Sequence, residues 1–300
     1  MSDTNGTDGA GGTHEAGAAN DTPRAGTARG VSGVSGTTGA GGTGGLDAAL
    51  FAAWAEEIAA AVRADRDRLT ALDSAIGDAD HGANLDRGFT AVAEALAGGR
   101  PDTPGALLSL VGNTLIRKVG GASGPLYGMA FREAGKTLGD APEVSLADLD
   151  EALAAGLAGI RRLGSAAEGD KTMVDALAPA LRALTQAVQE GQAPAEAVGA
   201  AAEAALAGAQ ATISMQARKG RASYLGPRSV GHEDPGAAST ALIVGALHAA
   251  LSRTAGAPGE RFGAVPEETS RQASGSRGRT AGPSGRVSEE PYRQAPEGPA

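Results

Sequence analysis

The sequence predicts an all-α domain, a bundle of about eight antiparallel helices over residues 46–255, with disordered tails over 1–45 and 256–300. Three observations predict it. Apolar residues through the middle of the chain recur at spacings of three and four, the period of a helix face. No stretch there alternates apolar and polar residues with the period of two that marks a half-buried strand. Glycines and charges gather in four connections, 73–84, 119–125, 164–173 and 218–236, between the periodic stretches.

Each element follows in order. The first 45 residues hold 14 glycines and no Leu, Ile, Phe, Tyr or Trp. Such a segment cannot bury enough apolar surface to offset the entropy of ordering it. Leu46, Leu50, Phe51, Trp54 and Ile58 then form a first buried stripe. Phe89, Val92, Ala93 and Leu96 repeat the pattern, and Leu107, Leu108, Val111, Leu115 and Ile116 form a third stripe behind Asp102-Thr103-Pro104. A fourth helix is expected over 126–138, after a Gly-rich turn. Residues 146–163, 172–188 and 193–217 give three more, the last opening on Gln192-Ala193-Pro194, and 237–252 gives the eighth. Proline at a first helical turn costs no hydrogen bond. Short connections favour antiparallel neighbours. From 256 onward the chain turns to Pro, Gly, Ser, Arg and Glu, a composition that builds no core.

Composition narrows the function. The chain of 300 residues has no cysteine, which excludes disulfides, thiolate metal sites and cysteine nucleophiles and suits the cytoplasm. The N-terminus lacks a basic region followed by an apolar stretch, so no secretory leader is expected. No apolar run is expected to reach the roughly 20 residues of a membrane span. A net charge of −9 and 3% aromatic residues argue against a nucleic-acid partner.

The four connections carry the chemistry. The first, "LDSAIGDADHGAN", places Asp73, Asp78, Asp80, His81 and Asn84 among glycines. Oxygen ligands beside glycine turns suit a hard cation. The calcium-loop pattern fails, because the twelfth residue counted from Asp78 is Phe89 instead of Glu. Three carboxylates could instead hold a pair of Mg²⁺ ions against a polyphosphate, although Asp at helix starts and turns also serves simply as a cap. The second connection, "VGGASGP", opens a helix with free N–H groups that favour an anion, yet it is neither a Walker loop nor a dinucleotide fingerprint. The third, "GSAAEGDKTMVD", supplies caps, a cation and a hydroxyl; its plain reading is a solvated helix start. The fourth, 218–236, brings Arg218, Lys219, Arg221 and Arg228 to an acidic protein on a long loop with little apolar anchoring. Loops of this length are usually lids, binding loops or disordered, so an anion-closing lid and a basic flexible linker both fit. Carboxylates, backbone N–H groups and arginine together are what polyphosphate chemistry needs.

The stretches "LDSAIGDADHGANLDRGF", "VGGASGPLYG", "GDKTMVDALAP" and "QARKGRASYLGPRSVGHEDPGA" resemble, in order, the L subunit of the phosphoenolpyruvate-dependent dihydroxyacetone kinases. The match covers roughly 47–250. The resemblance implies a barrel of eight antiparallel helices with tightly held, coenzyme-like ADP (or ATP) at one end. A phosphocarrier M subunit would rephosphorylate the ADP, and the phosphoryl group would pass to dihydroxyacetone held on a K subunit. It further implies that Asp73, Asp78 and Asp80 hold two Mg²⁺ ions. His81, Gly82, Ala83, Asn84, Ala122, Ser123, Gly164 and Met173 would line the nucleotide. Arg221 would reach the phosphates as the catalytic group, and Asp234, Pro235 and Gly236 would close the site. Alternatives stay open: the nucleotide domain of an ATP-dependent kinase, which would need a fused K domain, and a nucleotide-dependent partner of a transcription regulator. A homodimer is also compatible. The nucleotide domain of a fatty-acid kinase fits less well, since its motif reads "DGDTGTN" where this chain has "GDADHGAN".

Overall fold

The computed structural model describes residues 45–256. Nearly all of both expected tails lies outside them. The described residues are helical almost throughout. They form α1 (Ala48–Ala64), α2 (Arg66–Ile76), α3 (His81–Gly98), α4 (Pro104–Lys118), α5 (Ser123–Leu138), α6 (Leu146–Gly164), α7 (Val174–Gln189), α8 (Pro194–Ala211) and α9 (Pro235–Gly256). Two residues at each of β1 (Leu46–Asp47) and β2 (Glu143–Val144) pair antiparallel, Leu46 against Val144. So short a pairing has no period for a sequence pattern to show.

Local chemistry sets the helix starts. Asp47 caps α1 by accepting from Leu50 N at 2.9 Å. Thr103 caps α4, with Pro104 at its first position, and Pro194 opens α8 in the same way. Ser145 and Asp148 form a reciprocal capping box at α6.

Helices α1 and α3 to α9 pack in sequence order, each against the next, and α9 returns to α1. This closed ring of eight is the expected barrel. Its interior is apolar and fully buried, with Phe51, Ile58, Phe89, Leu107, Leu115, Leu149 and Leu184 among its largest side chains. Each such side chain contributes about 1.5–3 kcal/mol on burial. Trp54 of α1 lies against Phe131 of α5, ring centres 5.5 Å apart, and its indole N–H donates to the Ile243 carbonyl of α9 at 2.9 Å. Between α4 and α5 the backbones themselves touch. A Cβ on Gly112 would stand 2.6 Å from the Gly128 carbonyl oxygen, and one on Gly135 would stand 2.6 Å from that of Gly105.

The structure departs from expectation in four places. A ninth helix, α2, packs against α3 and α9. It is mostly polar, burying only Leu69, Asp73 and Ile76, so its apolar stripe is too narrow to read. Because α2 runs to Ile76 and α3 starts at His81, the first connection contracts to residues 77–80. Helix α8 stops at Ala211, and the fourth connection holds a 3₁₀ segment, Arg221–Ser229, broken at Gly226 (φ 56°, ψ −129°). Finally, one helix among the described residues is long and apolar enough to cross a membrane by length and composition, contrary to the expectation from the apolar runs. It is α9, whose many alanines extend a weakly apolar stretch that holds a single charged residue, Arg253, and here it packs against α1, α7 and α8.

Candidate active site

The connections predicted to carry chemistry meet at one cleft of about 290 Å³, lined by residues from all four of them. Asp73, Asp78 and Asp80 bring one carboxylate oxygen each to within 4.8 Å of one another. Asp73 arrives on the last turn of α2, buried; Asp78 and Asp80 follow in the turn, exposed. Asp73 Oδ2 accepts from Asp80 N (2.8 Å) and His81 N (3.1 Å), so it also caps α3 from a distance. The turn leaves no room for a side chain at Gly77, where a Cβ would fall 1.9 Å from Asp73 Oδ1.

His81 is buried between two hydroxyls, Ser123 Oγ at 3.1 Å from Nδ1 and Ser239 Oγ at 2.9 Å from Nε2. Burial lowers its pKa below the ordinary histidine value, against the pull of the Asp73 and Asp80 carboxylates. Behind it, Tyr127 OH lies 2.6 Å from Ser239 Oγ and donates to the Gly236 carbonyl at 3.0 Å. Ala122 and Ser123 start α5 without a side-chain cap, which leaves first-turn backbone N–H groups without a side-chain acceptor, and both residues line the cleft. Gly164 at the end of α6, Met173 before α7, and Asp234, Pro235 and Gly236 at the start of α9 complete the wall. Arg221 bridges the mouth, its Nη2 at 3.0 Å from Asp78 Oδ2.

Three of the residues assigned through the resemblance are not among the lining residues. Gly82 instead lets α3 approach α2, since a Cβ there would stand 2.1 Å from the Arg66 carbonyl oxygen. Ala83 is half-buried beside it. Asn84 is buried against Gly120, and its Oδ1 accepts from Arg87 at 2.6 Å.

Residues 75–249 match the profile of the DAK2 domain. The chain belongs to the DAK2 domain family. This DAK2 chain is 41% identical over 176 residues to the ADP-binding subunit DhaL of the PEP-dependent dihydroxyacetone kinase of Escherichia coli K12, covering 59% of this chain and 84% of that one. It is 40% identical to the corresponding subunit of dihydroxyacetone kinase 1 of Listeria innocua, covering 65% and 92%. A crystal structure of the dihydroxyacetone kinase from C. freundii, in complex with AMP-PNP and Mg²⁺, superposes with a TM-score of 0.53 at 30% identity. The match covers 74% of the present chain but spans only 38% of that longer protein.

The DAK2 cleft rests on two residues that sequence reading passed over. Lys171, expected at a solvated helix start, is 1% exposed. Its Nζ donates to the carbonyls of Thr212 (2.8 Å), Met215 (3.1 Å), Ser229 (2.7 Å) and His232 (2.5 Å). Burial lowers its pKa, and the Asp234 carboxylate opposes that. Asp175 orders the same loop by accepting from Gly169 N (2.5 Å) and Thr172 N (2.8 Å). The only signal for either was the run "GDKTMVD" itself. Asp234 caps α9 through Ala237 N at 2.7 Å, and burial pushes its pKa up to about 7. The fourth connection is also better anchored than its composition suggested, with Ile76, Ala217 and Ala222 buried together.

Proposed function

We propose that this chain is the nucleotide-binding subunit of a phosphoenolpyruvate-dependent dihydroxyacetone kinase. In this reading a phosphoryl group moves from a phosphocarrier M subunit, by way of ADP held in the cleft, to dihydroxyacetone on a separate K subunit, giving dihydroxyacetone phosphate. The observation that carries it is the convergence of three carboxylates, an uncapped helix start and Arg221 on one cleft, in a chain so similar to ADP-binding subunits.

The donor set fits Mg²⁺. It is oxygen only, compact, and open on the side of Asp78 and Asp80. Asp73, Asp78 and Asp80 would hold two ions, which when bound neutralise phosphate charge. The residues of this chain do the positioning. The N–H groups at the start of α5 orient phosphate oxygens, aided by the positive end of the helix dipole. His81, buried between two hydroxyls, holds Ser123 in place. Arg221 exchanges Asp78 for the transferring group, to which its planar fork is suited.

Mass spectrometry of the protein as purified, followed by reconstitution with K and M subunits, tests this. Retained ADP near one per chain, and transfer that requires the phosphocarrier, are expected. Transfer from ATP at a rate indifferent to the phosphocarrier would reassign the chain to an ATP-dependent kinase, and absence of nucleotide binding would end the reading.

A further inference from the structure

We propose that Lys171 is a positioning residue for phosphoryl transfer. Its buried ammonium sets where the Arg221-bearing segment and the start of α9 stand relative to the loop before α7. This deepens the function proposed above and rests on it.

An ammonium carries three N–H donors and no acceptor, so four carbonyls within reach saturate it. Those carbonyls come in two pairs. Thr212 and Met215 precede the 3₁₀ segment Arg221–Ser229, whereas Ser229 and His232 stand at its end and beyond it. One cation therefore fastens both feet of the loop that carries Arg221. Backbone bonds join the same feet. Arg218 N donates to the Asp170 carbonyl (3.0 Å) and Gly231 N to that of Ile213 (2.7 Å). Ala217 N donates to Ser229 Oγ at 2.9 Å. Beyond the second foot the chain passes directly into Asp234, Pro235 and Gly236 of the cleft wall, and two residues after Lys171 comes Met173, which lies against Gly236 and also lines the cleft.

The backbone at position 171 argues the same way. Lys171 has φ 63°, a left-handed conformation that costs a side-chain-bearing residue about 1–2 kcal/mol and that glycine adopts freely. A lysine there is held by what its side chain does. That side chain is not a phosphate ligand, because its Nζ is fully engaged by carbonyls. Losing the cation would leave those carbonyls without their shared donor.

The test uses the full chain and two mild substitutions. Lys171→Arg keeps the charge, but a planar guanidinium cannot converge on four carbonyls around one point. Ser229→Ala keeps the ammonium and removes the hydroxyl that joins the two feet. Hydrogen exchange without nucleotide, ADP affinity, and turnover with K and M subunits are measured on both. Exchange over 212–232 is expected to accelerate, with α4 and α5 unchanged. For Lys171→Arg, turnover should fall by roughly a hundredfold, the scale of a misplacement of about 1 Å, while ADP affinity changes far less. Ser229→Ala should show the same split, smaller. A purely structural lysine would lower the melting temperature and leave turnover per folded molecule intact. That result, or unaltered exchange in both variants, would overturn the proposal. If the wild-type chain transfers no phosphoryl group, the functional reading fails, and the exchange data still decide whether Lys171 holds the segment.

Discussion

Asp73 divides its carboxylate between the cleft and the backbone of Asp80 and His81, whereas Asp78 and Asp80 are exposed. Substituting Asp73 therefore disturbs the start of α3 as well as the acidic cluster. Asp78→Ala and Asp80→Ala isolate the chemistry: each is expected to abolish phosphoryl transfer while the far-UV circular dichroism stays unchanged. Near-normal turnover in either would remove the Mg²⁺ assignment. Asp234 supplies a pH signature. Its folded pKa of about 7 lies above the ordinary 3.8, so between those values the folded state binds a proton that the unfolded state has lost. Its contribution to stability is thus present below the unfolded value and lost as pH rises through 7. The scale is about 1.4 kcal/mol per unit of difference. Asp234→Asn should remove this part of the pH dependence, seen in urea unfolding of the nucleotide-free protein from pH 4 to 8. Parallel curves for variant and wild type would refute it. The acidic cluster was legible in the sequence because three aspartates within eight residues exceed what capping needs. Lys171 was not, since a lysine after Gly-Asp looks solvated until four distant carbonyls close around it.

At the scale of elements, the contact between α4 and α5 depends on glycine. Gly112→Ala would drive a methyl group to 2.6 Å from the Gly128 carbonyl oxygen, so the helices must separate. A loss of about 1–3 kcal/mol is expected from urea unfolding, as for overpacked cores. Gly245→Ala is the control. It lies within α9, a Cβ there meets nothing within 4 Å, and alanine should stabilise by up to about 1 kcal/mol. Equal effects at the two sites would mean that helix propensity, not contact, governs the α4–α5 pair. The eight ring helices were legible because each buries a continuous apolar face. Helix α2 escaped because its buried side includes Asp73, a polar residue that serves the cleft. The 3₁₀ segment escaped because its conformation comes from its anchors, not from a periodic apolar face.

For the whole molecule, the closure of the ring between α1 and α9 has a built-in reporter. Trp54 is the only tryptophan in the sequence, and it bonds to α9. If the ring unfolds as one unit, Trp54 fluorescence and helical circular dichroism should change at the same urea concentration. An earlier fluorescence transition would show the α1–α9 contact opening ahead of the helices. Trp54→Phe, which removes the indole donor, is expected to cost about 1 kcal/mol from the lost hydrogen bond, in addition to any loss of packing.

That contact joins residues 189 positions apart. On a ribosome adding about 5–20 residues each second, Trp54 waits roughly ten to forty seconds for its partner. The three aspartates are made early in that interval, and Asp234, Pro235 and Gly236 near its end. A nascent chain thus carries its acidic cluster for most of that interval without the wall that completes the cleft. The cleft is complete only once the start of α9 has been made.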